Sequence, residues 1–181
     1  MGFIEETGAA QHMRDSRIAA IYEGANGIHG VDLVMRKLPL ANGGAVRNEI
    51  GFVREVARAV SERGGAPFGA TGARLSEAAE ALDEATRDIE KWLAGDSESA
   101  LASASPYLRL FGLALGGACV AKAGLAAAEL AAGGDSSKLS RVALARFYAE
   151  KLLPVAPGYA RIVASGAAAH SAYESVLADV L

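Results

Sequence analysis

One cysteine, Cys119, stands in a chain of 181 residues, so no internal disulfide can form. A reducing compartment fits that, and a cytoplasmic location is the expectation. Aromatic residues supply only 6% of the chain, and no stretch alternates apolar and polar residues around a hairpin turn. The usual strand signals are therefore missing. The three histidines, His12, His29 and His170, show no i, i+4 pair and no acid or cysteine cluster beside them, so no metal site is expected. Basic residues are scattered and the net charge is −3, which argues against a nucleic-acid partner. The longest apolar run, LFGLALGGACVA at 110–121, is too short to span a bilayer and rich in small residues. The opening GFIEETGAAQHMRD is too polar for a signal peptide. With no basic amphipathic face in the tail, no membrane partner is expected.

Alanine and helical periodicity, by contrast, are plentiful. Apolar residues make up 51% of the chain and charged residues 22%, as in an ordinary globular protein with a real core. Val46, Ile50, Val53, Ala57 and Val60 form one helical stripe, closed by Gly64-Gly65 and Pro67. A second helix is predicted from Thr71 to Leu93, with Leu75, Ala79, Leu82, Ile89 and Trp92 inward and the run Glu84 to Lys91 solvated. Gly95-Asp96-Ser97 ends it and caps a helical region over 97–132. There, Ser105-Pro106 marks either a new start or a bend. Gly133-Gly134-Asp135-Ser136 reads as a tight turn into a fourth helix, with Leu139, Val142, Ala143 and Phe147 on its inner face. Pro154 and Pro157 break or kink that helix, and a final segment runs to Leu181. Phe111 reads as core and Cys119 as a buried, inert thiol. The fold class is all-α, an antiparallel helical bundle, and short loops favour antiparallel neighbours. Composition divides it into a head at 1–38, a linker PLANGGA at 39–45, and a helical bundle extension at 46–181.

The head holds the chemistry. In IAAIYEGANGIHG, residues 18–30, a lone carboxylate, Glu23, stands between an aromatic residue and a glycine. By itself it is either a charge favoured near the start of the following helix or a base. Gly24-Ala25-Asn26-Gly27 lacks the preceding strand and the following Lys-Ser or Lys-Thr of a phosphate loop. Arg14, Asp15 and Arg17 read as an ion-pair group holding the bend.

Residues 3–38 resemble the end of the catalytic region of acyl-CoA dehydrogenases, where the stretch commonly reads R-D-A-x-x-x-x-I-Y-E-G-T-x-x-I-Q. The matching elements are Arg14-Asp15, Ile21-Tyr22-Glu23-Gly24, Ile28 and the basic pair Arg36-Lys37. The helical tail is similar to that of an extended bacterial subgroup with an extra C-terminal helical domain. The resemblance implies an FAD-dependent oxidoreductase that α,β-dehydrogenates an acyl-CoA thioester. Glu23 would be the catalytic base, Tyr22 and Gly24 would line the substrate channel, and Ala25, Asn26 and Gly27 would lie along the flavin. Removing a weakly acidic α-proton calls for a base whose pKa partial burial has raised, and flavin is the hydride acceptor that no side chain can replace.

Two positions depart from the family pattern: Ala25 replaces its threonine and His29 its glutamine. The lost hydroxyl removes one potential hydrogen bond, about 0.5–1.5 kcal/mol net. The family's N-terminal and middle domains, which supply most of the flavin and CoA sites, are not in this sequence. The expectation is therefore a C-terminal portion of a longer enzyme, inactive by itself and unable to retain FAD, with a homo-oligomer formed through its helical surfaces. The alternative is a non-catalytic helical module that serves assembly or complements a partner chain.

Overall fold

The computed structural model describes residues 5–22, 25–134, 138–168 and 172–173. Eight α-helices are described: α1 Ala9–Tyr22, α2 Asn26–Asp32, α3 Gly44–Arg63, α4 Thr71–Leu93, α5 Ser97–Ala102, α6 Ala104–Ala132, α7 Leu139–Lys151 and α8 Ala156–Ala164. A π-helical turn, Leu33–Lys37, continues α2, and short 3-10 turns link several of the others. No strand occurs among the described residues.

The pairing of the long helices follows from which residues meet. Arg47 reaches Glu90, Arg54 reaches Asp83, and Gly72 abuts Ser61, so α3 and α4 run antiparallel. Gly124 faces Ala145, and the Tyr148 hydroxyl donates to the Leu113 carbonyl at 3.2 Å, so α6 and α7 do the same. Helix α6 is 29 residues long and packs against α2, α3, α4, α7 and α8. It is also the one described helix long and apolar enough to cross a membrane by length and composition. The 12-residue run read from the sequence, 110–121, is only its middle. In this fold Tyr107, Leu110, Ala114, Ala118 and Ala121 of α6 are buried among the other helices.

Much of the predicted pattern is present. Val46, Ile50, Val53, Ala57 and Val60 are buried along α3, and Leu75, Ala79, Leu82 and Ile89 along α4. Trp92 and Phe111 are partly buried against the same core. Asp96 caps α5, accepting a hydrogen bond from the Ser99 amide at 3.0 Å. That bond holds its carboxyl below the usual carboxylate range.

Two expectations need correction, and one open alternative is resolved. The inner face of α7 is Val142, Ala145 and Ala149, while Leu139 is 49% and Phe147 56% exposed. The alanines allow α7 to approach α6 closely, which leaves the larger side chains on the other face. Cys119 is exposed, not buried. It lies on a face of α6 whose small apolar residues give no amphipathic signal. The alternative left open at Ser105-Pro106 resolves as a new helix, α6, which starts at Ala104; Ser103, just before it, donates to the Val163 carbonyl at 3.1 Å. Pro106 sits in the first turn of α6, where a missing N–H costs no intrahelical bond.

One buried polar pair crosses the core. Thr86 commits its only hydroxyl hydrogen to the Leu82 carbonyl at 2.7 Å, so the Tyr107 hydroxyl is the donor in the 2.9 Å bond between the two side chains. Burial pushes the Tyr107 phenol up to about 12, and the charge of Glu90 adds to the shift. The folded state thus holds this proton more tightly than the unfolded chain. The resulting stability is fully present below the unfolded value near 10 and is lost as pH rises towards the folded value. The unfolding free energy of the native chain relative to Tyr107→Phe is expected to fall by on the order of 1 kcal/mol between about pH 9 and pH 11. Urea titrations of both proteins at each pH measure it; a pH-independent difference would contradict the assignment.

Candidate functional site

The motif segment enters the fold through two helices. Tyr22 is the last residue of α1. Glu23 and Gly24 lie outside the described residues. Ala25 is the N-cap of α2, with φ −107° and ψ 79° and no side-chain cap, and its carbonyl accepts the His29 amide at 3.2 Å. Asn26 and Gly27 form the first turn of α2 and are exposed, and open space surrounds Gly27. Arg14 pairs with Glu5 at 2.9 Å, tying α1 back to the turn before it.

Helix α2 is anchored on one side only. Gly30, Val34 and Leu38, at i, i+4 and i+8, are buried. A β-carbon on Gly30 would lie 3.0 Å from both the carbonyl carbon and the oxygen of Ala104, at the start of α6. Backbone yields less readily than a flexible side chain, so any larger residue here would have to push α2 and the start of α6 apart by a few tenths of an ångström. On the other side Ile28 is 68%, Val31 39% and Met35 42% exposed. At its end, Asp32 holds Arg36 at 2.9 Å and Lys37 at 4.0 Å. Sequence reasoning misses the anchoring stripe. Its i, i+4, i+8 spacing is a signal that could find it, but the π turn shifts the register after Asp32.

The described residues of the motif do not enclose a slot for a flavin ring. Ala25 offers only backbone, and Asn26 and Gly27 face outward on a helix start. The described cavities lie elsewhere: between α4 and α8, beside α7, around the connection from α2 to α3, and along α8. These residues therefore do not form a complete FAD site by themselves. Among the described residues no group of three His, Cys, Asp or Glu side chains could hold a metal ion.

Gly30→Ala is expected to destabilise the chain by about 1–3 kcal/mol, the cost of overpacking against fixed backbone. At this chain length that lowers Tm by about 2–4 °C per kcal/mol. A thermal melt with an unchanged or higher midpoint would show that α2 does not sit on the Ala104 backbone.

Known proteins resemble this chain in sequence. A family profile described as acetyl-CoA dehydrogenase C-terminal like matches residues 52–173. The chain is also 37% identical over 155 residues to 3-methylmercaptopropionyl-CoA dehydrogenase of Ruegeria pomeroyi, an alignment covering 84% of this chain and 26% of that protein. The chain thus spans about a quarter of the length of this relative. The profile falls on the bundle, from α3 onward, and so bears on a different part of the chain from the Ile21–Gly24 motif. The expected resemblance is borne out, and this chain belongs to the acetyl-CoA dehydrogenase C-terminal-like family.

Proposed function

We propose that the chain is the base-carrying C-terminal portion of an FAD-dependent acyl-CoA dehydrogenase, an oxidoreductase that introduces a double bond between the α and β carbons of an acyl-CoA thioester in fatty-acid-type metabolism. The single observation that carries this is the 37% identity to a dehydrogenase across 84% of the chain. The Ile21-Tyr22-Glu23-Gly24 motif adds the residue suited to take the α-proton. In this reading Glu23 is the general base. Tyr22 and Gly24 flank the thioester, and the backbone of Ala25 to Gly27 forms one edge of the flavin site. FAD, held by the rest of the enzyme, accepts the hydride when bound. Helix α2, which follows the motif in sequence, is seated on the bundle, and its exposed apolar side chains Ile28, Val31 and Met35 offer surface for the remainder of the active site. The protein acts in the cytoplasm as a homo-oligomer, for which exposed residues such as Leu139 and Phe147 offer contact surface.

A second reading, a non-catalytic helical module, is favoured by one observation: the described motif residues enclose no flavin slot. A visible absorption spectrum taken after adding FAD and gel-filtering separates the parts of the proposal. The chain alone is expected to retain no flavin; retained flavin would contradict the single-edge reading. In an enzyme extended by the upstream portion of this relative type, Glu23→Gln is expected to keep the flavin content. It should slow acyl-CoA-dependent bleaching of the flavin by about 10²–10⁴-fold. An undiminished bleaching rate would remove Glu23 from the role of base.

A further inference from the structure

Leu38 and Val46 are both buried, and between them the chain passes from the motif helix into the bundle. Ala41 (φ 53°, ψ 38°), Asn42 (φ 55°, ψ 43°) and Gly43 (φ 77°, ψ 0°) are three consecutive left-handed residues. Among the described residues Ala41 and Asn42 are the only non-glycine positions with positive φ. Asparagine tolerates this conformation, but alanine has no side-chain group to compensate the clash of its β-carbon with the backbone. The local sequence therefore does not explain the turn, and something outside it must hold it in place.

Arg47, on the first turn of α3, is placed to do so. Its Nη1 donates to the Asn42 carbonyl at 3.1 Å, and its Nη2 donates to both carboxylate oxygens of Glu90 on α4, at 2.8 and 2.9 Å. A β-carbon on Gly43 would collide with the guanidinium of Arg47 and with the Glu90 carboxylate. One side chain thus ties the left-handed turn to α4, through a carboxylate 43 positions along the chain from Arg47. The clamp is partly exposed, so water and other ions compete for it.

There is also room for the turn to move. A cavity of about 350 Å³ lies on one side, lined by Leu38, Pro39, Asn42, Gly43, Glu90 and Leu93. Another of about 150 Å³ is lined by Leu33, Lys37, Leu38, Leu40, Val46 and Phe111. Leu38 borders both. Directly upstream, the Leu33–Lys37 π turn carries an extra residue of register that an α-helical turn would not need.

We propose that residues 39–43 are a strained joint latched by the Arg47–Glu90 ion pair, and that opening the latch changes the angle between the motif helix α2 and the bundle. Latched, Ala41 is held left-handed and α2 points one way from α3. Unlatched, Ala41 relaxes, Leu38 shifts within the cavities beside it, Gly30 lifts from its seat on the Ala104 backbone, and the segment carrying Ala25 to Gly27 swings relative to α3. This does not depend on the chemistry at Glu23.

Two measurements on the full chain test it. Spin labels at Ile28→Cys and Glu62→Cys, on a Cys119→Ser background, report the α2–α3 geometry. One narrow distance distribution is expected with the latch intact. Adding Arg47→Gln, or Glu90→Gln if the first variant folds poorly, is expected to bring up a displaced second population of about 10% or more. An unchanged distribution in a folded latch variant would overturn the proposal. The second measurement is a double-mutant cycle. Ala41→Gly is expected to raise the urea midpoint when the latch is intact and to give no rise when Arg47 is replaced by Gln. The same rise in both backgrounds would show that the latch does not hold the strain.

Discussion

The close approach that small side chains permit along α6 is the constraint on which this fold depends. A helix that must touch several others cannot carry large residues on every side, because bulky groups would hold its neighbours apart and leave voids. Ala114, Ala118 and Ala121 are buried along it, and larger groups such as Tyr107 and Leu110 fill the space near its start. The same constraint acts on the partners. Helix α7 turns Ala145 and Ala149 inward, and α2 turns Gly30 inward. The long apolar composition of α6 is thus accounted for by the number of helices it serves.

That constraint sets the position of the motif. Helix α2 is only seven residues long and would not be stable in isolation. It persists because Gly30 rests on the Ala104 backbone and because Val34 and Leu38 continue the buried stripe through the π turn. The bundle is therefore a platform for the short helix that comes after Glu23 in sequence. A base serves catalysis only when held in a fixed relation to substrate and acceptor. Under the proposed function, a helix gripped on one side and open on the other would meet half of that requirement and leave the other half to the portion that holds the flavin.

The sequence discloses the elements whose signal is local. Helix α4 begins at Thr71 and ends at Leu93 as its stripe and flanking glycines indicate, and the Asp96 cap follows from one residue type at one position. It does not disclose features set by contacts between distant residues. The α7 face is misread from sequence because Leu139 and Phe147 outweigh alanines in any hydrophobic pattern, although the alanines do the packing. The left-handed Ala41 carries no signature, and the arginine and glutamate that grip the turn at the next residue, Asn42, belong to two other helices. The candidate site is legible as a motif, Tyr22 to Gly27, but its anchor at Gly30 is not. A glycine is informative only once the backbone facing it is known.

The most direct test of the claim that α2 is carried as part of the bundle is native-state hydrogen exchange of the Val34 and Leu38 amides beside those of Leu110 and Ala114. If the contact with α6 holds the motif helix, all four amides exchange through the same cooperative opening, with protection within about tenfold of one another. If Val34 and Leu38 exchange near unfolded rates while α6 stays protected, the bundle does not position the motif, and the account built on Gly30 and Ala104 is wrong.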